Sequence, residues 1–368
     1  MKSGNNILIT GAAGQLGIEL TAKLREEFGA ENVIATDIRE SEKIAESGPF
    51  EMLDVLDKNH LAEIIRKYKI DTIYHLAAIL SAKGEANIKK TWQLNVDGLL
   101  NVLELAREGL PGDVRRRSAQ SAVSGTESEF ETDNDSCSNA GTDSARHSKS
   151  DSIFGSNVAS TANGRVFWPS SIAVFGPDLP RKNTPQDSPL NPLTVYGITK
   201  VAGEQWCAYY HRKFGIDVRS LRFPGLIGYK SEPGGGTTDY AVDMLRSAAK
   251  GHKFKCPVGP KTRLPMMYME DAVQAALDLM VVDPERVRIR TSYNVTAMSF
   301  SPEELHKAIR NHVNGFQITY HPDQRDAIAA SWPESIDDSP AREDWNWEHR
   351  YDLPSMVREV LHKLNSPG

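Results

Sequence analysis

Short apolar runs alternate with longer amphipathic stretches along most of the chain. Runs dominated by apolar and β-branched residues predict buried strands, and stretches with apolar residues three and four apart predict helices. The predicted strands cover residues 6–10, 32–36, 49–53, 71–75, 165–168 and 217–222. The predicted helices cover residues 16–28, 59–68, 87–107 and 195–214. This alternation predicts an α/β fold with a doubly wound, mostly parallel sheet, in which ligands bind beyond the carboxyl ends of the strands.

Residues 113–164 break this alternation. The segment is crowded with Ser, Thr, Asn, Asp and Gly and has few large apolar side chains. It therefore lacks the apolar surface needed to offset the entropy of ordering. It replaces a short connection between a helix ending near Glu108 and the strand at 165–168. We expect a low-complexity, serine-rich, disordered surface insertion, which is either neutral or a regulatory segment open to phosphorylation.

The sequence pattern changes after Gly225, where the predicted helices and strands become shorter and are separated by glycine- and proline-rich loops. Helices are predicted at 238–250, 302–312 and 353–364, and a helix at 270–281 is expected to return to the main sheet. The pattern predicts two domains. The first contains residues 1–112 and 165–228 with a returning segment at about 268–297. The second, a smaller C-terminal substrate lobe, contains residues 229–267 and 298–368.

Composition narrows the class of protein. The chain has 368 residues, of which 39% are hydrophobic and 25% charged, and a net charge of −6. This mildly acidic balance argues against nucleic acid as a partner, and no apolar segment approaches the ~20 residues of a membrane span. The scattered Cys137, Cys207 and Cys256 favour neither a disulfide framework nor a metal site. Because the first motif begins close to Met1, we expect a cytoplasmic protein, or a mitochondrial matrix protein if a presequence was removed.

A glycine motif follows the first predicted strand. Gly11, Gly14 and Gly17 form Gly-x-x-Gly-x-x-Gly at the start of the helix at 16–28. In such a turn the first glycine allows a tight bend, the second admits a pyrophosphate near backbone amides, and the third lets the helix pack on the sheet. Asp37 follows the second strand, where a carboxylate binds the ribose 2′-hydroxyl. The motif predicts a Rossmann domain that binds NAD rather than NADP, although Arg39 weakens that preference slightly.

Tyr196 and Lys200 lie four residues apart on a predicted helix and share one face. A positive charge beside a phenol favours the phenolate, so Lys200 is expected to lower the pKa of Tyr196. A tyrosine tuned in this way can accept the proton of an alcohol while hydride leaves the carbinol carbon. Ser171 follows the fifth strand and is expected at the same edge of the sheet. Together with the glycine motif, these residues predict an NAD-dependent alcohol dehydrogenase.

These motifs together resemble the extended short-chain dehydrogenase/reductases. Five further stretches are similar to the NAD-dependent L-threonine 3-dehydrogenases: residues 75–84, 168–176, 222–228, 234–240 and 265–268. The resemblance covers nearly the whole chain except 113–164. It implies oxidation of the β-hydroxyl of L-threonine by NAD⁺ to L-2-amino-3-oxobutyrate and NADH. This is a step of threonine catabolism toward glycine and acetyl-CoA, or toward aminoacetone.

The resemblance also implies roles for individual residues. Tyr196 is the general base, Lys200 lowers its pKa and holds the nicotinamide ribose, and Ser171 hydrogen-bonds the alcohol. Asn95 either holds a water that relays the proton or makes an ordinary interior contact. Cofactor contacts are expected from Gly11, Gly14, Gln15, Leu16, Gly17, Asp37, Asp54, Val55, Leu76, Ala77, Ala78, Asn95, Tyr196, Lys200, Pro224 and Leu226. Substrate contacts are expected from Ser81, Ser171, Tyr196, Thr237, Thr238 and Asp239, although Ser, Thr and Asp equally favour plain capping or turn roles.

Two other functions stay open. A nucleotide-sugar epimerase or dehydratase shares the fold, the cofactor and the three catalytic residues, but its lobe needs a cradle for a base and a diphosphate that the sequence does not clearly provide. A catalytically silent NAD-sensing scaffold is the other alternative, because a fold does not dictate function. Such a scaffold has no need for Ser171, Tyr196 and Lys200. The resemblance further suggests a homodimer built from the helices near 87–107 and 195–214.

Overall fold

The computed structural model describes residues 6–110 and 163–366. Their strands are β1 (Ile7–Thr10), β2 (Val33–Asp37), β3 (Phe50–Met52), β4 (Thr72–His75), β5 (Asn163–Ser171), β6 (Ile216–Phe223), β7 (Gly225–Ile227), β8 (Phe254–Cys256), β9 (Leu264–Tyr268), β10 (Tyr293–Asn294), β11 (Met298–Phe300) and β12 (Ile318–Tyr320). Seven of them form a parallel sheet in the order β10-β6-β5-β4-β1-β2-β3. From β1 the chain adds β2 and β3 on one side of the sheet, and from β4 it adds β5 and β6 on the other. The crevice between β1 and β4 is therefore the expected ligand site.

Helices cover both faces of this sheet. They are α1 (Gln15–Phe28), α2 (Glu42–Glu46), α3 (Lys58–Lys67), α4 (Ser81–Gly84), α5 (Ile88–Trp92), α6 (Gly98–Glu108), α7 (Val195–Phe214), α8 (Tyr240–Ala249), α9 (Met269–Val281), α10 (Pro302–Arg310), α11 (Gln324–Ala330), α12 (Ser339–Trp345) and α13 (Leu353–Asn365). The predicted α/β class is confirmed. The helix predicted at 87–107 is interrupted, because a π-helical turn at Gln93–Asp97 joins α5 to α6.

Alternate residues of the central strands face opposite layers of helices. In β1, Ile7 and Ile9 belong to the core that contains side chains of α1 and α9, whereas Leu8 belongs to the core that contains those of α3 and α6. All three side chains are buried. A parallel sheet covered on both faces needs nearly continuous apolar strands, which explains the pattern at residues 6–10.

A third apolar core lies mainly in the C-terminal part of the chain. Two small sheets, β11-β9-β7 and β12-β8, pack there with α8, α10 and α13 around Tyr240, Tyr268 and Phe300. The segment between α9 and β10 returns to the main sheet, where β10 pairs with β6 and α9 packs on α1. Short strands were expected in this part of the chain but without bounds, because strands of two to five residues are too short to show a clear strand period. The predicted domain boundaries stay predictions.

Residues 113–162 of the predicted insertion lie outside the described residues. The described chain stops at Leu110 and resumes at β5, which begins two residues before the predicted strand. A β-carbon added to Gly164 would lie 2.1 Å from Leu110 Cδ1, so the two ends of the gap touch and only glycine fits there. Within residues 6–110 and 163–366, no helix is long and apolar enough to cross a membrane.

Candidate active site

A cleft of about 850 Å³ lies at the carboxyl ends of β1, β4 and β5 and is bordered by the C-terminal lobe. Most of the residues assigned from the sequence to cofactor or substrate line this cleft. They are Gly11, Gly14, Gln15, Leu16, Gly17, Asp37, Val55, Leu76, Ala77, Ala78, Ser81, Ser171, Tyr196, Lys200, Pro224, Leu226, Thr237, Thr238 and Asp239. Asp54 and Asn95 are not among the lining residues.

The glycine turn between β1 and α1 forms one end of the cleft. Gly11 has a φ of 73°, and a β-carbon there would lie 2.6 Å from the backbone nitrogen of Ala77. A β-carbon on Gly17 would lie 2.4 Å from the Gly11 carbonyl oxygen, so both positions require glycine. Gly14 is the N-cap residue of α1 and supplies no side-chain cap. The amino end of α1 is therefore left to bind phosphate.

Asp37 is fixed at the edge of the cleft beside this turn. Its Oδ2 accepts a hydrogen bond from the backbone nitrogen of Ala13 at 3.0 Å, and its Oδ1 accepts from that of Arg39 at 3.0 Å. The Arg39 guanidinium also donates to the Ala13 carbonyl at 3.2 Å and lies 3.5 Å from the carboxylate. The carboxylate is thus held where a dinucleotide ribose is bound in this fold.

Tyr196, Lys200 and Ser171 meet at the carboxyl end of β5. The Thr194 side chain caps α7, so the helix begins just before Tyr196. Lys200 Nζ donates to the Pro169 carbonyl at 2.5 Å, and Ser171 lies close enough to Tyr196 to lower its pKa. The tyrosine and the lysine are both buried in the protein and both line the cleft. The predicted trio is therefore assembled in one place.

Asn95 lies in the π-helical turn, where it joins two elements. Its Nδ2 donates to the Ile79 carbonyl at 3.1 Å and to Thr199 Oγ1 at 3.0 Å, and its Oδ1 accepts from the Ile79 nitrogen at 2.8 Å. The side chain is buried. These contacts hold the turn after β4 against α7. The structure therefore favours the interior contact over the predicted relay and cofactor contact.

Asp54 does not line the cleft in this structure, and its predicted cofactor contact stays a prediction. Its side chain is exposed, and Oδ1 accepts a hydrogen bond from the backbone nitrogen of Leu56 at 3.0 Å. Its neighbours Leu53 and Val55 line the cleft instead.

The C-terminal lobe meets the main sheet across the cleft. Ser81 Oγ and Thr237 Oγ1 lie 2.9 Å apart, and the backbone nitrogen of Thr237 donates to Ser81 Oγ at 3.2 Å. Asp239 has another role, because its Oδ2 accepts from the backbone nitrogens of Gly235 and Gly236, both at 2.7 Å. Its carboxylate therefore shapes the glycine loop, which is the turn role left open by the sequence.

The chain resembles known proteins over nearly its full length. Residues 7–296 match the model of the NAD dependent epimerase/dehydratase family. An uncharacterized epimerase/dehydratase of Staphylococcus haemolyticus is 40% identical over 361 residues, which is 97% of each chain. This chain belongs to the NAD-dependent epimerase/dehydratase family.

Two solved structures of similar proteins narrow the comparison. The holo form of a GalE-like L-threonine dehydrogenase from Cupriavidus necator is 43% identical, with a TM-score of 0.81 over 98% of this chain and 99% of that one. A monomeric L-threonine 3-dehydrogenase from a metagenome, in its apo form, is 41% identical, with a TM-score of 0.81 over 98% of both chains. The resemblance to threonine dehydrogenases found in the sequence is thereby confirmed.

As a member of this family, the chain is an NAD-dependent oxidoreductase with a Rossmann domain. The residues present fit the cofactor. The glycine turn leaves backbone amides open to a pyrophosphate, and the carboxylate of Asp37 lies where a ribose hydroxyl is bound in this fold. Asp37 would repel a 2′-phosphate, which agrees with the predicted preference for NAD over NADP.

Burial governs the acid–base chemistry of this family member. It raises the pKa of Tyr196 to about 12, and the hydrogen bond with Ser171 only partly opposes that shift. Burial likewise lowers the pKa of Lys200 to about 7, against the opposing effects of Cys207 and Glu204. The predicted lowering of the tyrosine pKa by Lys200 is therefore not seen. Desolvation penalises the charged forms of both side chains and is the largest cause of both shifts.

Lys83 and Trp332 are among the cleft-lining side chains that the sequence analysis did not assign to the site. The stem of Lys83 packs on Gly235, where a β-carbon would lie 2.5 Å from Lys83 Cε. Lys83 lies within the stretch 75–84 that resembles the threonine dehydrogenases, so that motif could have indicated it. Trp332 lies in the C-terminal tail, and no local sequence pattern marks it.

Proposed function

We propose that the chain oxidises the β-hydroxyl of L-threonine with NAD⁺ and releases L-2-amino-3-oxobutyrate and NADH. One observation carries the proposal. Ser171, Tyr196 and Lys200 share a cleft with the glycine turn, in a chain 43% identical to a threonine dehydrogenase along its length. Alcohol oxidation needs a base and a hydride acceptor on the same carbinol group, and this cleft can hold both.

Tyr196 is the general base in this proposal. As a phenolate it takes the proton of the β-hydroxyl, while the electron pair of the carbinol C–H bond leaves as hydride. When bound, NAD⁺ supplies the acceptor for that hydride. Ser171 donates a hydrogen bond to the substrate oxygen and stabilises the charge that develops there. A phenol with a pKa of about 12 is a strong base but is rarely ionised at neutral pH.

Lys200 assists Tyr196 from the same face of α7. With a pKa of about 7 it carries its proton part of the time near neutral pH. As an ammonium it stabilises the phenolate and donates to the ribose next to the nicotinamide. Its Nζ lies 4.4 Å from the centre of the Trp168 ring and beside the Pro169 carbonyl, which keeps the side chain extended along the end of β5.

The amino and carboxylate groups of threonine are assigned to the side of the cleft facing the C-terminal lobe. Ser81 and Thr237 offer two hydroxyl groups 2.9 Å apart, and Thr238 lies next to them. Lys83 adds a positive charge to the same wall, which suits a carboxylate. Asp239 acts through the loop whose backbone it binds.

A screen for NADH formation tests this function. NAD⁺ is combined with a panel of L-amino acids and sugar nucleotides, and NADH absorbance is followed. We expect NADH only with L-threonine and its close analogues. Tightly retained NAD with conversion of UDP-sugars would instead favour an epimerase. NAD binding without turnover of any alcohol would favour the silent scaffold.

A homodimer is proposed on the basis of exposed apolar side chains. Ile88 and Trp92 on α5 are 64% and 42% exposed, and Ile198 and Trp206 on α7 are 49% and 37% exposed. These two helices pack against each other. Large exposed apolar side chains that lie together mark interaction surfaces, and a second copy related by a twofold axis would cover them.

Sedimentation measurements test the dimer. We expect a dimer for the wild type and a monomer for the double variant Trp92→Glu/Trp206→Glu, because two buried charges on each side oppose association. The matched control is Val281→Glu at the end of α9, where another exposed apolar side chain is replaced. A wild type that sediments as a monomer, like the metagenome relative, would contradict the proposal.

A further inference from the structure

A buried carboxylate lies one helical turn after Lys200 on α7. The side chain of Glu204 is 0% exposed. Its Oε1 accepts hydrogen bonds from Ser170 Oγ at 2.6 Å and from Arg222 Nε at 2.8 Å, and its Oε2 accepts from Arg222 Nη2 at 2.7 Å. The reaction steps assigned above make no use of this group.

The arginine extends the contact away from the helix. Arg222 Nη1 donates to the Gln186 carbonyl at 2.9 Å and to Asn294 Oδ1 at 3.3 Å, and the guanidinium lies 5.2 Å from the centre of the Phe175 ring. Asn294 in turn donates to the Asp337 carbonyl at 3.0 Å. The ion pair therefore joins α7, the carboxyl half of the sheet and a segment of the C-terminal tail.

Ser170 is the middle one of three consecutive β5 residues held by α7. The Pro169 carbonyl accepts from Lys200, and Ser171 lines the cleft together with Tyr196. Because helical residues four apart share a face, the tyrosine, the lysine and the buried carboxylate occupy successive turns of one face of α7. The carboxylate therefore fixes the strand end between the two contacts that the reaction uses.

Stability does not account for this buried ion pair. Removing two charges from water is costly, and apolar residues of similar volume often replace such pairs without loss of stability. The unusual part here is the third partner, Ser170, which brings the pair to the residue next to Ser171. The contact thus has a consequence for the arrangement of the active site.

We propose that Glu204 is a positioning residue, which holds Ser170 and thereby keeps Ser171 at a fixed distance from Tyr196. The inference rests on the proposed function, because Ser171 and Tyr196 are the groups that contact the substrate alcohol in it. A small displacement of such groups is enough to slow a reaction strongly.

The first test compares two serine variants in the full-length chain. Ser170→Ala removes the hydroxyl that Glu204 holds. Its control is Ser220→Ala on the neighbouring strand β6. This variant removes an equally buried hydroxyl, whose oxygen is hydrogen-bonded to Ser292 Oγ at 2.9 Å. We expect kcat with threonine to fall about tenfold in Ser170→Ala, with KM values and NAD affinity unchanged. The control should keep the wild-type kcat, and equal kcat in both variants would overturn the proposal.

The second test separates position from stability. Glu204→Met/Arg222→Met replaces both charges with apolar side chains, so its melting temperature should stay close to that of the wild type. Its kcat should nevertheless fall by about 10- to 100-fold, because Ser170 loses its partner. A double variant that has both the melting temperature and the kcat of the wild type would overturn the positioning role.

Crystal structures of the serine variants keep this inference distinguishable from the proposed function. The distance between the Ser171 and Tyr196 hydroxyl oxygens should increase in Ser170→Ala and stay at the wild-type value in Ser220→Ala. If the wild type makes no NADH from threonine, the proposed function alone is contradicted. If the distance between Ser171 and Tyr196 is unchanged in Ser170→Ala, the positioning role alone is contradicted.

Discussion

Strand β6 carries an ion pair near each of its ends, which is buried at the carboxyl end and partly exposed at the amino end. At the carboxyl end, Arg222 pairs with Glu204 beside the cleft. At the amino end, Arg219 donates to the two carboxylate oxygens of Asp217 at 2.9 and 2.8 Å, and Arg290 reaches the same carboxylate at 2.8 Å. The two clusters share one strand and one kind of chemistry, but their further contacts differ.

The amino-end cluster holds the end of a helix. Arg219 Nη1 donates to the carbonyls of Leu279 and Val282 at 2.5 and 2.7 Å, which lie in the last turn of α9 and just beyond it. Carbonyls at a helix end lack partners within the helix, so this cluster stabilises the fold. The carboxyl-end cluster instead holds Ser170 at the cleft. In a parallel sheet, identical ion pairs can therefore serve the fold at one end and the active site at the other.

The largest expected effect belongs to the carboxyl end. Tyr196→Phe keeps the ring but removes the hydroxyl that accepts the proton, so kcat should fall by at least ~10²-fold while NAD binding survives. Steady-state kinetics and NAD titration measure both. Tyr210→Phe is the control on the same helix, since its hydroxyl donates to Glu104 outside the cleft. Near-normal turnover in Tyr196→Phe would remove the proposed base.

At the amino end, Asp217→Asn should change stability and leave catalysis intact. Burial alone would raise the pKa of Asp217, but the hydrogen bond and charge of Arg219 hold that pKa well below its usual range. Loss of the carboxylate should lower the free energy of unfolding at pH 7 by about 3 kcal/mol. Urea unfolding measures this loss, and kcat should stay at the wild-type value.

The same variant has a defined pH dependence. A carboxyl group whose folded pKa is depressed stabilises the protein above its unfolded pKa, and this stabilisation is lost as the pH falls toward the folded pKa. The difference in the free energy of unfolding between the wild type and Asp217→Asn should therefore become smaller below about pH 4. Two results would contradict a stabilising role for the amino-end ion pair of β6. One is a stability difference between the two proteins that stays constant from neutral to acidic pH, and the other is equal stability at neutral pH.

A smaller effect concerns the rate as a function of pH. Because burial raises the pKa of Tyr196 to about 12, the phenolate fraction should grow about tenfold per pH unit below that value. The Lys200 ammonium that stabilises the phenolate has a pKa of about 7 and is lost above neutral pH, so kcat/KM for threonine should rise with pH up to about pH 7 and level off above it, in the wild type and in Asp217→Asn alike. A kcat/KM that does not change between pH 5 and pH 7 would contradict the tyrosine base, and a profile altered by Asp217→Asn would contradict the separation of the two ends.

The main sheet was predictable because burial on both faces makes its strands apolar throughout, as at residues 6–10. Helix α7 also has the predicted bounds, since its cap and its apolar spacing are local features. The bounds of the small strands of the C-terminal lobe were not predictable, because each strand depends on partners far along the chain. The π-helical turn depends in the same way on the contacts between Asn95 and Ile79.

The candidate site divides along the same line. Motifs located the glycine turn and the trio at β5 and α7, because each motif has a fixed local spacing. Glu204 gave no signal, since a helical glutamate is usually solvated and its partner Arg222 lies on another element. The contact between Ser81 and Thr237 is equally remote in sequence. The pKa of Tyr196 could not be predicted, because burial is a property of the whole fold.

The contact between Leu110 and Gly164 has a practical consequence. It lies where β5 begins, at the opposite end of the sheet from the cleft, and it brings the two borders of the gap to a single point. Because the ends lie together, a longer segment inserted between Leu110 and Gly164 adds little to the entropic cost of closing the loop. A fluorescent or affinity module spliced at this point would report on the enzyme inside cells while remaining remote from its chemistry.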